Sequence, residues 1–153
     1  MQHWRDEEQE QTFRAFLFAA QALFEQFDRV VQRDADVPLA YFQILACLSQ
    51  APERSRRMGD VAEHLHASRS RLSHSIARLE ERGWVQRVAC PADKRVTYAV
   101  LTDQGLAVFE AAAPGLVQCA REQLFDRLST SQVAELRLIS EALAAQLAPS
   151  RDS

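Results

Sequence analysis

Apolar and polar positions along this chain follow a helical period over most of its length. From about Asp6 to Arg33, Phe13, Phe16, Leu17, Ala20, Leu23, Phe24, Phe27, Val30 and Val31 recur in steps of three and four. That spacing places them on one wide stripe of a long first helix. Asp34 to Val37 breaks the pattern, and Pro38 suits the first position of a second helix. The second helix, to about Gln50, is apolar over much of its surface (Tyr41, Phe42, Ile44, Leu45, Leu48) and should lie in the core. Ala51 to Ser55 reads as a loop. A short helix from about Gly59 to Leu65 turns Val61, Ala62 and Leu65 inward, and His66-Ala67 forms a turn. Ser68 is placed to cap the next helix, which ends with Gly83 in the left-handed position that follows many helices.

Beyond Gly83 the period changes. Trp84 to Val88 and Thr97 to Leu101 are short β-like runs, and Cys90-Pro91-Ala92-Asp93-Lys94 supplies the turn between them. Thr102 or Asp103 caps a helix to about Arg127, striped by Leu106, Phe109, Leu116, Ala120 and Leu124, with a kink expected at Pro114-Gly115. Ser129-Thr130-Ser131-Gln132 has capping-box spacing and opens a last helix with Val133, Leu136, Ile139, Leu143 and Leu147. Only the ends, Met1 to Glu8 and Ala148 to Ser153, are expected to be loose. The fold class is mainly α with a small β-wing: a helix-turn-helix followed by a hairpin, flanked by long helices at both ends.

At 153 residues, with 47% hydrophobic and 25% charged residues, the chain suits a single domain with a real core. No apolar run approaches the roughly 20 residues of a membrane helix, and the polar start is unlike a signal peptide. Three scattered cysteines (Cys47, Cys90, Cys119) argue against a disulfide framework and point to the cytoplasm. The net charge of −3 alone would argue against nucleic acid, but its distribution reverses that. Between Arg54 and Arg95, ten basic residues stand against five acidic ones, a net +5 that leaves −8 for the rest. Such asymmetry is expected of a DNA-binding lobe carried on a non-binding scaffold.

The candidate chemistry lies in Ser68 to Gly83 and the hairpin. At 100° per residue, Leu72, Ile76 and Leu79 fall within about 60° of one another and form a buried stripe. The opposite face holds Ser70, His74, Ala77 and Glu81, flanked by Arg71, Ser73 and Arg78. Its first two turns, from Ser68 and Arg69 onward, contain no acid, whereas solvated faces usually mix both signs. Long donors on a helix suit the edges of guanine in the major groove, and small serines let the backbone approach. At the hairpin tip, Asp93-Lys94-Arg95 offers an arginine that can enter a minor groove, and an aspartate that can orient a neighbouring arginine, with Arg87 one candidate.

Taken in order, Met58-Gly59-Asp60-Val61-Ala62-Glu63-His64-Leu65, Ser68-Arg69-Ser70-Arg71-Leu72-Ser73, Leu79 to Arg87 and Asp93 to Thr102 resemble the MarR family of bacterial transcription regulators. The Asp-x-Arg wing followed six residues later by Leu101-Thr102 is the most specific part. The resemblance implies a winged helix-turn-helix homodimer that binds double-stranded DNA at pseudo-palindromic operators. It further implies repression relieved by a small phenolic or other ligand, or by cysteine oxidation. By the same resemblance Arg95 is the minor-groove residue and Asp93 its support.

Independently of that resemblance, the first and last helices carry more apolar surface than a small winged domain can cover, and a second subunit is its natural outlet. This divides the chain into a DNA-binding lobe of about 38–102 and a dimerisation lobe of about 6–34 plus 103–148. A ligand pocket is expected between the lobes, with Phe18, Tyr41 and Phe42 as candidates and Arg14 as an anion partner. A redox variant would use Cys90, with Arg87 near it to favour thiolate, or Cys119, while Cys47 reads as packing. His64, His66 and His74 form no ligand set at metal spacing, so neither a metal nor another cofactor is expected. Ser70 and His74 share a face but lack a third orienting group, so no enzyme is expected. The alternative from another class is a winged-helix protein-interaction module without DNA binding.

Overall fold

A computed structural model describes residues 5–147. Of the ends expected to be loose, 1–4 and 148–153 lie outside the described residues, whereas Asp6 already caps the first helix by accepting from Gln9 N at 2.8 Å. Helix α1 (Glu7–Ala35) follows, and although it is 29 residues long it buries only Val31. Helix α2 (Leu39–Ser49) buries Phe42, Ile44, Leu45, Cys47 and Leu48 and forms the centre of the core. Asp28 of α1 accepts from Leu39 N at 2.8 Å, so a side chain from one helix satisfies an orphan donor of the next.

The segment expected to be a loop departs from that reading. Pro52–Arg54 forms a 3-10 turn, and Ser55–Arg57 is a strand, β1. It pairs antiparallel with β3 (Thr97–Leu101), which also pairs with β2 (Val85–Ala89), giving the order β1-β3-β2. Registers are Arg57 opposite Tyr98 and Arg87 opposite Ala99. The wing is therefore three-stranded. Three polar residues carry no alternating pattern, and β1 exists because β3 presents an edge that needs a partner.

Helices α3 (Met58–His64) and α4 (Arg69–Glu81) form the helix-turn-helix. Leu72, Ile76 and Leu79 are buried, as the periodicity requires, in one core with Val61, Leu45 and Leu48. Each such side chain contributes about 1.5–3 kcal/mol relative to exposure. Gly83 takes φ 73°, the left-handed conformation that ends the helix. Thr102 then fastens the wing: its N donates to Trp84 O at 3.0 Å and its hydroxyl to Gly83 O at 2.7 Å, while accepting from Gly105 N at 3.0 Å. A Cβ at Gly105 would collide with the Trp84 carbonyl, so this close approach requires glycine.

Helix α5 (Asp103–Gln123) runs unbroken through Pro114, and a 3-10 turn at Phe125–Arg127 replaces the last turn expected of it. Beside the proline, Gly115 leaves room for the Asp34 carboxylate where α1 crosses α5. Helix α6 (Thr130–Leu147) opens on the expected capping box, with Ser129 N donating to Gln132 Oε1 at 2.9 Å and Gln132 N to Ser129 Oγ at 3.2 Å. No residue of α6 is buried. No helix among the described residues is long and apolar enough to cross a membrane.

Candidate nucleic-acid interface

Helix α4 begins where Ser68 Oγ accepts from Arg71 N at 3.2 Å, a cap that contributes about 1 kcal/mol. With its apolar stripe fixed inward, Ser68, Arg69, Ser70, Arg71, Ser73, His74 and Arg78 are all exposed. Their environments differ. Arg78 Nη1 donates to Glu81 Oε2 at 3.0 Å, a bond that raises its pKa further. The pair is solvated on both sides, so it costs little to exchange for another acceptor. Ser73, exposed like the others, also touches the wing: its carbonyl and hydroxyl accept from Arg87 Nη2 at 2.5 and 3.2 Å.

That contact corrects one expectation for Arg87, whose donors turn to α4 rather than to Asp93. Its guanidinium also pairs with Glu80 at 3.2 Å, and its backbone N donates to Glu80 Oε1 at 2.9 Å. Strand β2 directs the side chain back across α4, so Arg87 is a strut between wing and helix.

The wing tip is held by its own aspartate. Asp93 Oδ1 accepts from Arg95 N at 3.0 Å and from Arg95 Nε at 3.1 Å, while Oδ2 accepts from Arg95 Nη2 at 3.2 Å. The Arg95 side-chain bonds, then its backbone N–H, hold the Asp93 carboxyl below the ordinary carboxylate range. Two backbone bonds close the turn, Cys90 N to Val96 O and Val96 N to Asp93 O, both 2.9 Å. Arg95 remains 91% exposed at the side chain, so it is oriented without being covered. Lys94 beside it is exposed. Between this tip, α3 and α4 lies an open cleft of about 600 Å³ bordered by Arg57, Arg69, Arg87 and Arg95. Arg57 was missed from the sequence because β1 was.

A second cavity, about 340 Å³, opens among α1, α2, α3 and α5. Phe24, Phe27, Phe42, Leu39 and Leu116 give it an apolar wall, and Gln43, Gln50 and His64 add polar groups. Of the four expected pocket residues only Phe42 lines it. Arg14 and Phe18 sit on the first half of α1, which buries nothing in the protomer. Arg14 pairs with Glu10 at 2.6 Å, and Phe18 is 76% exposed. Tyr41 is half-buried and lies within electrostatic reach of Arg78 instead.

The cysteines are all unpaired among the described residues: Cys47 and Cys119 are buried, and Cys90 is partly covered at the wing. Burial pushes the Cys47 thiol pKa up, opposed by Arg56, whose Nη1 donates to Sγ at 3.3 Å. Among the described residues no three His, Cys, Asp or Glu side chains stand together as a metal site, and His64, His66 and His74 do not converge.

An inward-striped helix behind a short helix and turn, with a three-stranded wing at its side, defines a winged helix-turn-helix protein. The MarR family model matches residues 35–96, from the end of α1 through the wing tip. Sco3205 of Streptomyces coelicolor, a MarR family transcriptional regulator solved in complex with DNA, is 42% identical, with 97% of each chain covered and a TM-score of 0.92. AbsC of the same organism, also a MarR family regulator, is 30% identical over 95% of this chain and 98% of its own, with a TM-score of 0.89. The transcriptional repressor MprA of Escherichia coli K12 is 27% identical over 106 residues, and the match spans 69% of this chain and 60% of that relative. The chain belongs to the MarR family, a family of transcription regulators and not of enzymes.

Proposed function

We propose that the protein is a cytoplasmic, sequence-specific DNA-binding repressor that acts as a homodimer on a pseudo-palindromic operator. One observation carries this reading. The exposed face of α4 offers serines, His74 and arginines with no acid in its first turn, beside an Arg95 that Asp93 orients and leaves uncovered. Ser70, Arg71, Ser73, His74 and Arg78 then meet the major groove, with Ser68 and Arg69 at its rim. Lys94 and Arg95 enter the adjacent minor groove with Asp93 as support. That Sco3205, its 42% identical relative, was solved in complex with DNA supports DNA binding, and the repressor activity named for MprA supports the sign.

Residues 38–102 form the DNA-binding lobe in this reading, and 6–34 with 103–148 the dimerisation lobe. Phe16, Phe18, Leu138, Ile139 and Leu143 support the dimer, being large apolar side chains that the protomer leaves exposed. Two recognition helices must sit about 34 Å apart to read successive major grooves, and long outer helices can set that distance. A small aromatic or phenolic ligand in the 340 Å³ cavity would act on the spacing, because the cavity walls come from both lobes.

A mobility-shift titration on the DNA upstream of the protein's own gene tests the proposal. A shift with strong salt dependence is expected, since phosphate neutralisation releases counterions. A folded dimer that gives no shift at low salt would overturn the proposal and favour the protein-interaction module.

A further inference from the structure

We propose that Arg57 and Arg69 seat one phosphate of the DNA backbone in the cleft between the wing and α4. This inference rests on the DNA-binding reading above. If α4 lies in a major groove and the wing tip in the adjacent minor groove, the sugar-phosphate strand that separates those grooves must cross between them. The cleft bordered by Arg57, Arg69, Arg87 and Arg95 is the passage the protein leaves for that strand.

The four arginines are not equivalent. Arg87 is bound to Glu80 and Ser73, and Arg95 to Asp93. Arg57 and Arg69 have no ion pair among the described residues. Arg57 is oriented by a neutral group: its Nε donates to Tyr98 Oη at 3.2 Å, and its Cζ lies 5.9 Å from the Tyr98 ring centroid. The phenol fixes the guanidinium without neutralising it; Asp60 and Asp93 act on Arg57 only at a distance, with no ion pair, which leaves both terminal nitrogens for a planar, two-point contact with phosphate oxygens. Orienting the side chain in advance reduces the ordering cost on binding. Asp60 is the one carboxylate on the cleft wall, against the four arginines that border it. A phosphate contact fixes register and adds affinity without reading a base, so Arg69 is assigned to the backbone rather than to sequence readout.

The test is the salt dependence of binding by the full-length protein to an operator duplex and to an unrelated duplex. For the Arg57→Ala/Arg69→Ala double variant, the slope of log K against log salt should shrink by about 0.9 per protomer bound, with both duplexes weakened by the same factor. Arg57→Lys, which keeps the charge, should retain the wild-type slope. Unfolding curves matching the wild type exclude a fold defect. An unchanged slope, or a loss confined to the operator duplex, overturns the phosphate seat while leaving the DNA-binding reading intact. Wild-type protein that binds neither duplex at low salt overturns both.

Discussion

Helices α4 and α6 both carry leucine and isoleucine at helical spacing, yet they dispose of them in opposite ways. Helix α4 buries Leu72, Ile76 and Leu79 within its own chain and turns a polar face outward. Helix α6 buries nothing and leaves Leu138, Ile139, Leu143 and Leu147 exposed. The outer half of α1 behaves like α6, with Phe16 57% and Phe18 76% exposed. The single chain therefore completes the apolar packing of the helix-turn-helix but not that of its outer helices, the surface on which the proposed dimer rests. The apolar surface on α1 and α6 is the counterpart of the arginines on the wing: each is placed for something outside the chain.

The largest effect should come from breaking the second region without touching the first. The Ile139→Glu/Leu143→Glu double variant puts charge on the exposed apolar face that the proposed dimer would bury. Sedimentation velocity should show monomers, circular dichroism should show retained helix, and operator affinity should fall by about 10²–10⁴-fold, because linked half-sites are lost. A dimer of unchanged affinity would place the interface elsewhere.

Next in size is the wing tip. Arg95→Ala is expected to weaken operator binding by about tenfold to a hundredfold, in the range of a lost specific contact. Lys94→Ala, lacking the Asp93 clamp, should cost less, and equal losses would reduce the tip to undirected charge. Arg95 holds the Asp93 carboxyl below the ordinary range, so the clamp is complete at every pH above that range. It is lost only as pH falls through the depressed value. Between pH 5 and 8, operator affinity should show no inflection that Asp93→Asn abolishes.

A smaller effect separates strut from contact. Arg87→Ala should lower operator affinity by roughly twofold to fivefold, the coupling of a partly exposed ion pair. The salt slope should remain that of the wild type, because Arg87 spends its donors on Glu80 and Ser73. A reduced slope would make Arg87 a phosphate contact.

Helix α4 was legible in the sequence because burial and capping there are both local. A 3.6-residue period marks the stripe, and Ser68 stands three residues before the N–H it accepts. The capping box at Ser129 and the Thr102 cap were readable for the same reason. Strand β1 was not, since nothing in Ser55-Arg56-Arg57 distinguishes a loop from an edge strand until β3 is beside it. Arg57 was missed with it, although it faces the same cleft as Arg69 and Arg95. The partner of Arg87 was misjudged because seven residues of separation from Glu80 spans a turn of chain whose path only the folded wing defines. On α1, the sequence showed an apolar stripe too wide for the domain to cover, but not that its first half is the part left exposed.

The cysteines divide along the same line as the helices, and that gives the smallest expected effect. Cys47 and Cys119 lie in the packed body, while Cys90 stands at the base of the wing turn, partly covered. Burial keeps the Cys47 thiol protonated at neutral pH despite Arg56, because the raised pKa extends the neutral form upward. Mild alkylation of the native protein should therefore modify Cys90 first. Cys90 N is tied to Val96 O, but no hydrogen bond to its thiol joins it to the Asp93–Arg95 clamp among the described residues. Capping it should leave operator affinity within about twofold, as for surface changes away from a named contact. Mass spectrometry of the modified protein followed by a DNA titration checks both parts. Loss of DNA binding in step with Cys90 modification would make the wing, rather than the outer helices, the place where this protein receives its signal.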